Sequence, residues 1–384
     1  MAALKGAARL TEAKRLVIKI GSALLVDPES GELRRNWLAA LAADVAAARA
    51  RGQDVAIVSS GAIALGRRRL GQNPARQRLE EKQAAAAVGQ IQLAHAWQGA
   101  LADHGLICGQ ILVTFDVTEN RRQYINVRST LDTLFHMGAV PVINENDTVA
   151  TAEIRYGDND RLAARVAQMA SADCLVLLSD VDGLYTADPS SDPAAEFLPE
   201  VARIDRRIMD MAGVSRSGLG VGGMTTKLQA AEIAVGAGCN MAIADGRVLN
   251  PLQRIADGAR CTWFQAKATP RTARKQWIAS SLKPSGSLTI DDGAAKALAR
   301  GRSLLPAGVR QVEGEFGRGD AVWVRDLAGR ILARGLSAYS SANARRIAGH
   351  KSDEIEALLG YRGRDEMIHR DDMVMERREE EAGT

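Results

Sequence analysis

At 384 residues the chain exceeds the size at which one hydrophobic core keeps growing, so two domains are expected. Its 46% hydrophobic and 25% charged residues are those of an ordinary globular protein, and a net charge of +4 over this length carries no signature for nucleic acid or membrane. The cysteines (Cys108, Cys174, Cys239, Cys261) are widely spaced with no C-x-x-C pair, the N-terminus lacks the apolar stretch of a signal peptide, and no run approaches about 18 apolar residues; reduced core thiols, no membrane span and a cytoplasmic location are the expectation.

Aromatic residues make up only 4% of the chain, so the core must be built from Ala, Val, Leu and Ile, which suits the doubly covered strands of a parallel sheet. In chain order the strand candidates are Arg15–Ile20, Asp54–Ser59, Ile107–Thr114, Val140–Ile143, Cys174–Leu178 and Asn240–Ala244. Between them lie helical stretches at Asn36–Arg51, Leu79–Asp103, Arg121–Met137, Asp160–Ser171 and Thr225–Ala237. This alternation predicts an α/β fold with a mostly parallel sheet and helices on both faces. Ligands of such sheets bind beyond the carboxyl ends of the strands. After Phe264 the texture changes. Residues 266–285, with Pro270, Pro284 and several basic side chains, read as a linker. Short β-like runs follow at Ser287–Ile290, Val309–Phe316, Ala321–Val324 and Ile331–Tyr339, with a short helix near Asn343–Ala348. The expected division is 1–265 for the α/β domain, 266–285 for the linker, 286–364 for a small β-barrel and 365–384 for a charged tail that frays.

Polar residues gather at the strand ends. Lys19 closes the first strand and Gly21–Ser22 follows it; a glycine there lets backbone N–H groups approach an anion, and the lysine adds a compact positive charge. Ser59–Ser60–Gly61–Ala62 leads from the second strand into a helix, as an anion site or as a plain N-cap. Asn144–Asp147 and Gly157–Asp160 (GDND) form two dense acidic and amide clusters, able to hold a substrate ammonium and carboxylate or to orient lysines. The fifth strand ends on Ser179–Asp180, a polar exit fit to line a nucleotide pocket. Gly218–Lys227 (GLGVGGMTTK) opens a helix and can wrap phosphates with backbone N–H groups while Lys227 reaches a terminal phosphate. It is not a Walker A loop, which needs Lys directly after the last Gly. Its match to G-x-G-x-x-G through Gly218, Gly220 and Gly223 lacks the preceding strand that a dinucleotide site requires. The five histidines show no metal-ligand spacing, and there is no G-x-S-x-G elbow.

Together these segments resemble the amino-acid kinase family. The likeness rests on Val17–Ser22 (VIKIGS), Ser59–Gly66 (SSGAIALG), Val140–Glu153 (VPVINENDTVATAE), Gly157–Asp160, Gly183–Pro189 (GLYTADP) and Gly218–Ala230 (GLGVGGMTTKLQA). Leu304–Pro306, Tyr339–Ser340 and Arg345–Gly349 resemble the PUA module appended to many such enzymes. The resemblance implies transfer of the γ-phosphoryl group of ATP, with Mg2+, to the side-chain carboxylate of L-glutamate. The product would be L-glutamyl 5-phosphate, at the first step of proline synthesis. By the same carry-over Lys19 and Lys227 flank the transferring group and Asp160 orients them, while Ser60, Asp147 and Asn159 hold glutamate. Lys19, Gly21, Ser179, Asp180 and the run Val221, Gly222, Gly223, Met224, Thr225, Thr226, Lys227 would contact ATP. The resemblance also implies homo-oligomers and feedback inhibition by proline. Ala23 after Ser22, Ser179 and Val221 depart from residues common at these positions, which bears on hydroxyl contacts only. Two alternatives stand beside this: a kinase of the same family acting on another acid such as acetylglutamate, and an RNA-binding protein acting through the PUA module.

Overall fold

Short aliphatic runs that end in a glycine or a polar residue become strands because each can be covered on both faces. The computed structural model describes residues 2–72, 77–115, 120–149, 159–212, 223–281 and 283–376. The chain divides into two units, one of residues 1–119 and 126–270, the other of residues 120–125 and 271–384.

The first unit holds strands β1 (Arg15–Ile20), β2 (Asp54–Ser59), β3 (Cys108–Val113), β4 (Val140–Glu145), β5 (Cys174–Ser179), β6 (Leu184–Tyr185), β7 (Phe197–Leu198), β8 (Glu200–Val201), β9 (Asn240–Asp245) and β10 (Cys261–Phe264). Eight of them form one sheet in the order β3-β4-β2-β1-β5-β9-β10-β8, while β6 and β7 pair by themselves. Every pairing from β3 to β9 is parallel, and only β10 runs antiparallel to β9. The expected parallel α/β sheet is therefore present, with an antiparallel turn at one side. In β1 the alternation of side chains sorts the two faces. Leu16, Ile18 and Ile20 join Leu41, Val45, Leu93 and Trp97 in one core. Val17 and Lys19 point the other way, toward the side on which the helix Asn159–Ala170 packs against β1.

Register places the functional strand ends side by side. Ile20 stands opposite Ser59 and Leu178, and Ser179 stands opposite Asp245. Gly21, Ser60 and Asp180, each one residue further on, therefore share the carboxyl edge of the sheet. The structure extends β4 to Glu145 and β5 to Ser179, beyond the expected ends, so these polar residues are strand termini. The helix expected after Ser59–Ala62 is present as Ala62–Leu70, and the structure adds elements outside the expected set: the helices Ala2–Thr11 and Pro251–Ala256, and the buried four-residue β10. Cys174, Cys239 and Cys261 are buried and unbridged, and Cys108 is partly exposed and unbridged.

The second unit has strands β11 (Gly286–Ile290), β12 (Val309–Gly314), β13 (Ala321–Arg325), β14 (Ile331–Leu336) and β15 (Met373–Met375), in the order β12-β11-β13-β14-β15. All these pairings are antiparallel except β11 with β13. Two expectations are corrected here. Most of the stretch read as a linker is a helix, Pro270–Ser281, whose Ile278 is fully buried against Ala321 and Leu336. Arg334 donates to the Ala279 carbonyl at 2.7 Å, and Arg274 pairs with Asp372 at 2.7 Å. The stretch read as a fraying tail contributes Met367, Ile368 and Met373 to the core, and β15 hydrogen-bonds to β14. In both places charged residues on the outer face conceal a narrow apolar one. Residues 377–384 lie outside the described residues.

Candidate active site

Lys19 is the fifth residue of a central strand and is buried there. A lysine in that position must be paired or lose its charge. Its partner is Asp160, 3% exposed, the second residue of the helix Asn159–Ala170. Lys19 Nζ stands 2.5 Å from Asp160 Oδ1, and Lys227 Nζ stands 3.1 Å from Asp160 Oδ2. Burial pushes the Asp160 carboxyl up, but the charges and hydrogen bonds of the two ammonium groups outweigh it and hold it down at about 2. One carboxylate thus fixes two cations, and the trio carries one net positive charge at the sheet's carboxyl edge.

Lys227 lies in the first turn of the helix Met224–Gly236, behind the extended N-cap Gly223. The opening N–H groups of that helix, at Met224 and Thr225, have no partner within the helix, and they precede Lys227 by three and two residues in the same first turn. The Thr226 hydroxyl reaches both the Gly223 carbonyl, at 2.9 Å, and Asp160 Oδ2, at 3.3 Å; its single proton serves one of them at a time. Beside Lys19, a Cβ placed on Gly21 would meet only Lys19 Nζ at 3.9 Å and the Leu178 carbonyl at 4.0 Å. The space it leaves open adjoins the ammonium group. On the neighbouring strand Ser179 donates to Asp180 Oδ1 at 3.0 Å, and its own carbonyl accepts from Gly246 N at 2.7 Å. These residues are suited to a polyphosphate: cations, free backbone donors and room for close approach. Val221 and Gly222, expected in the same loop, lie outside the described residues, as do 150–158.

Asn159, next to Asp160 in sequence, joins this cluster to a second one. Its Nδ2 donates to Ser60 Oγ at 2.6 Å and to Asn144 Oδ1 at 3.2 Å, and Asn144 Nδ2 donates in turn to Gln90 Oε1 at 2.8 Å. Gly61 supplies the left-handed backbone, φ +115°, that turns the chain from Ser60 into its helix. Asp147 is 9% exposed and opens on a cavity of about 320 Å³ shared with Gln90, Glu145, Asn146 and Thr148. Burial lifts its carboxyl to about 6, and no ion pair with a described residue offsets the shift.

Of the sequence-derived residues, Lys19, Asp160, Thr226 and Lys227 come together in one cluster, and Ser60 with Asn159 in the next. Ser179 and Asp180 stand on the adjoining strand end, and Asp147 lines its own cavity. Gln90 was not anticipated, since a single glutamine in an Ala-rich helix has no spacing that marks it.

The model of the Amino acid kinase family matches residues 14–245, and that of the PUA domain matches residues 286–359. A glutamate 5-kinase of Paramagnetospirillum magneticum is 64% identical over 367 residues, covering 96% of this chain and 99% of its own. A glutamate 5-kinase of Rhodospirillum rubrum is 60% identical over 362 residues, covering 94% and 96%. One from Gluconobacter oxydans is 57% identical over 376 residues, covering 98% and 100%.

Proposed function

The chain belongs to the amino acid kinase family, and on that premise we propose that it phosphorylates the side-chain carboxylate of L-glutamate with ATP, the first step of proline synthesis. The observation that carries the chemistry is the Lys19–Asp160–Lys227 trio. Phosphoryl transfer asks a protein for positioning and charge stabilisation rather than for a nucleophile of its own. The attacking carboxylate is ionised at neutral pH, so no general base is required. One of its oxygens bonds to the γ-phosphorus as the bond to the β,γ-bridging oxygen breaks. ADP leaves with that electron pair, and an acyl phosphate remains.

In this reading Lys19 and Lys227 hold the oxygens of the transferring group, and Asp160 keeps the two ammonium groups apart and aimed. Gly21, Ser179, Asp180, Gly223, Met224, Thr225 and Thr226 contact ATP, together with Val221 and Gly222. Ser60 and Asn159 hold glutamate, and Asp147 takes its ammonium group. Both Asp160 oxygens are already engaged by lysines, so Mg2+ fits here as an ion carried on the nucleotide's phosphates, where it neutralises their charge. Proline carries the same ammonium and carboxylate pairing as the backbone end of glutamate, which supports competition between them at Asp147.

A coupled ADP-release assay with glutamate, acetylglutamate, aspartate and UMP tests the reading. Turnover is expected with glutamate alone, and hydroxylamine should trap γ-glutamyl hydroxamate. Equal turnover with acetylglutamate or aspartate would overturn it.

A further inference from the structure

An amide can face either way in a pocket, because its oxygen and nitrogen ends have the same shape and opposite hydrogen-bonding character. Asn159 spends both Nδ2 protons, one on Ser60 and one on Asn144, and its buried Oδ1 has no partner among the described residues. That leaves Oδ1 as an acceptor for a bound donor. The arrangement holds only while Asn144 presents its oxygen to Asn159. If Asn144 turned over, two NH2 groups would face one another.

The described partner of Asn144 Nδ2 is Gln90, whose Oε1 accepts from it at 2.8 Å. Gln90 follows Gly89 in the helix Leu79–Ala102, at the point where that helix crosses Ala62–Leu70 in backbone contact. A Cβ on Gly89 would lie 1.8 Å from the Ala62 carbonyl, and one on Gly66 would lie 1.8 Å from the Ala85 carbonyl. Ala62 is two residues past Ser60. The same glycine crossing therefore locates both ends of the chain of side chains, Gln90 at one end and Ser60 at the other.

We infer that Gln90 is a positioning residue for substrate recognition, acting through Asn144 to orient Asn159 so that its Oδ1 accepts one of the three N–H groups of the glutamate ammonium, whose counter-charge is Asp147. The inference rests on the reading of Ser60 and Asn159 as glutamate-holding residues. Its test is a set of steady-state measurements on the full chain with Gln90→Leu, Asn144→Leu, the double variant and Asn159→Ala. Gln90→Leu should raise the glutamate KM roughly five- to tenfold, the range of one well-made hydrogen bond, with the ATP KM and kcat within about twofold of wild type. The double variant should be no worse than Asn144→Leu alone, since both changes break one path. If Gln90→Leu melts early, Gln90→Met, which also lacks the acceptor but keeps an unbranched chain, allows the same comparison. An unchanged glutamate KM in the Gln90 variants, with a raised one in Asn159→Ala, overturns the role of Gln90 alone. Multiplicative effects in the double variant overturn its action through Asn144. An unchanged KM in Asn159→Ala removes the glutamate site itself and the inference with it.

Discussion

Two ion pairs, one in each unit, show how differently the same charges act in different surroundings. In the first unit Lys227 and Asp160 have side chains 7% and 3% exposed; in the second, Arg310 and Asp291 meet at 2.8 Å with side chains 54% and 25% exposed. The exposed pair is screened by water, and Asp291 is already held as the N-cap of the helix Asp292–Ala299, so the ion pair itself contributes little. The buried group is costly to assemble and far costlier to break, because the surviving charges have no water to turn to. A fold seeking only stability has no use for it; a site that must hold phosphate oxygens does.

The largest effect that tests this contrast is Asp160→Asn. It leaves two ammonium groups facing one another, and a loss of about 3–5 kcal/mol is the scale for orphaning a buried charge. The turnover number should fall as well, by about 10²–10³-fold, the cost of removing one preorganised charge contact to the transition state, with Lys19→Ala and Lys227→Ala in the same range. Arg310→Ala in the second unit should cost at most about 1 kcal/mol and leave kcat alone. Urea denaturation and kcat measured on the set decide it. Equal losses from Asp160→Asn and Arg310→Ala would break the comparison.

A subtler effect is expected at Asp147, where burial works against the folded state. Its carboxyl is raised to about 6 from the ordinary 3.8, so between those values the folded chain binds the proton that the unfolded chain has released. Stability supplied by this group is present at low pH and is lost as pH rises through that window. Asp147→Asn should therefore stabilise the protein at pH 7, with the advantage gone near pH 4. The same substitution removes the counter-charge for the substrate ammonium, so the glutamate KM should rise strongly while the ATP KM stays nearly constant. For the wild type, kcat/KM for glutamate should fall as pH drops below about 6. Thermal melts across pH, with KM for both substrates, measure both sides. A variant that shifts the ATP KM instead would place Asp147 at the nucleotide.

Much of this was legible because the site hangs on the most regular part of the chain. VIKI, VAIVS and CLVLLS are strands covered on both faces, and a lysine inside such a run is conspicuous because it needs a reason to be buried. Asp160 and Lys227 each open a helix next to a glycine- or asparagine-rich loop, which is a signal local in sequence. Gln90 leaves no such trace. Its meaning comes from Asn144, 54 residues away, and from a crossing of two glycines that only three dimensions bring together. The helix Pro270–Ser281 was hidden for another reason: apart from Ala273 and Ile278 its residues are largely polar or exposed, so prolines and basic residues outvoted a thin apolar stripe.

A small effect on chemistry is expected from removing residues 269–384, which include all of the second unit except 120–125. Every residue assigned to the reaction lies at or before Lys227, and each side chain of the buried cluster finds its partner within the first unit. The cut must respect the helix that begins at Pro270, because Ile278 belongs to the core of the second unit and would become an exposed apolar stub if retained alone. A chain ending at Ala268 keeps β10 and its pairing with β9 intact. It should fold, by circular dichroism, and turn over glutamate with kcat within a few-fold of the full chain. A chain ending at Ser281 instead carries that helix without its cover and should be the less soluble of the two. A well-folded chain ending at Ala268 with no activity would show that residues after 268 complete the site, and the contrast between a chemical unit and a dispensable one would fail.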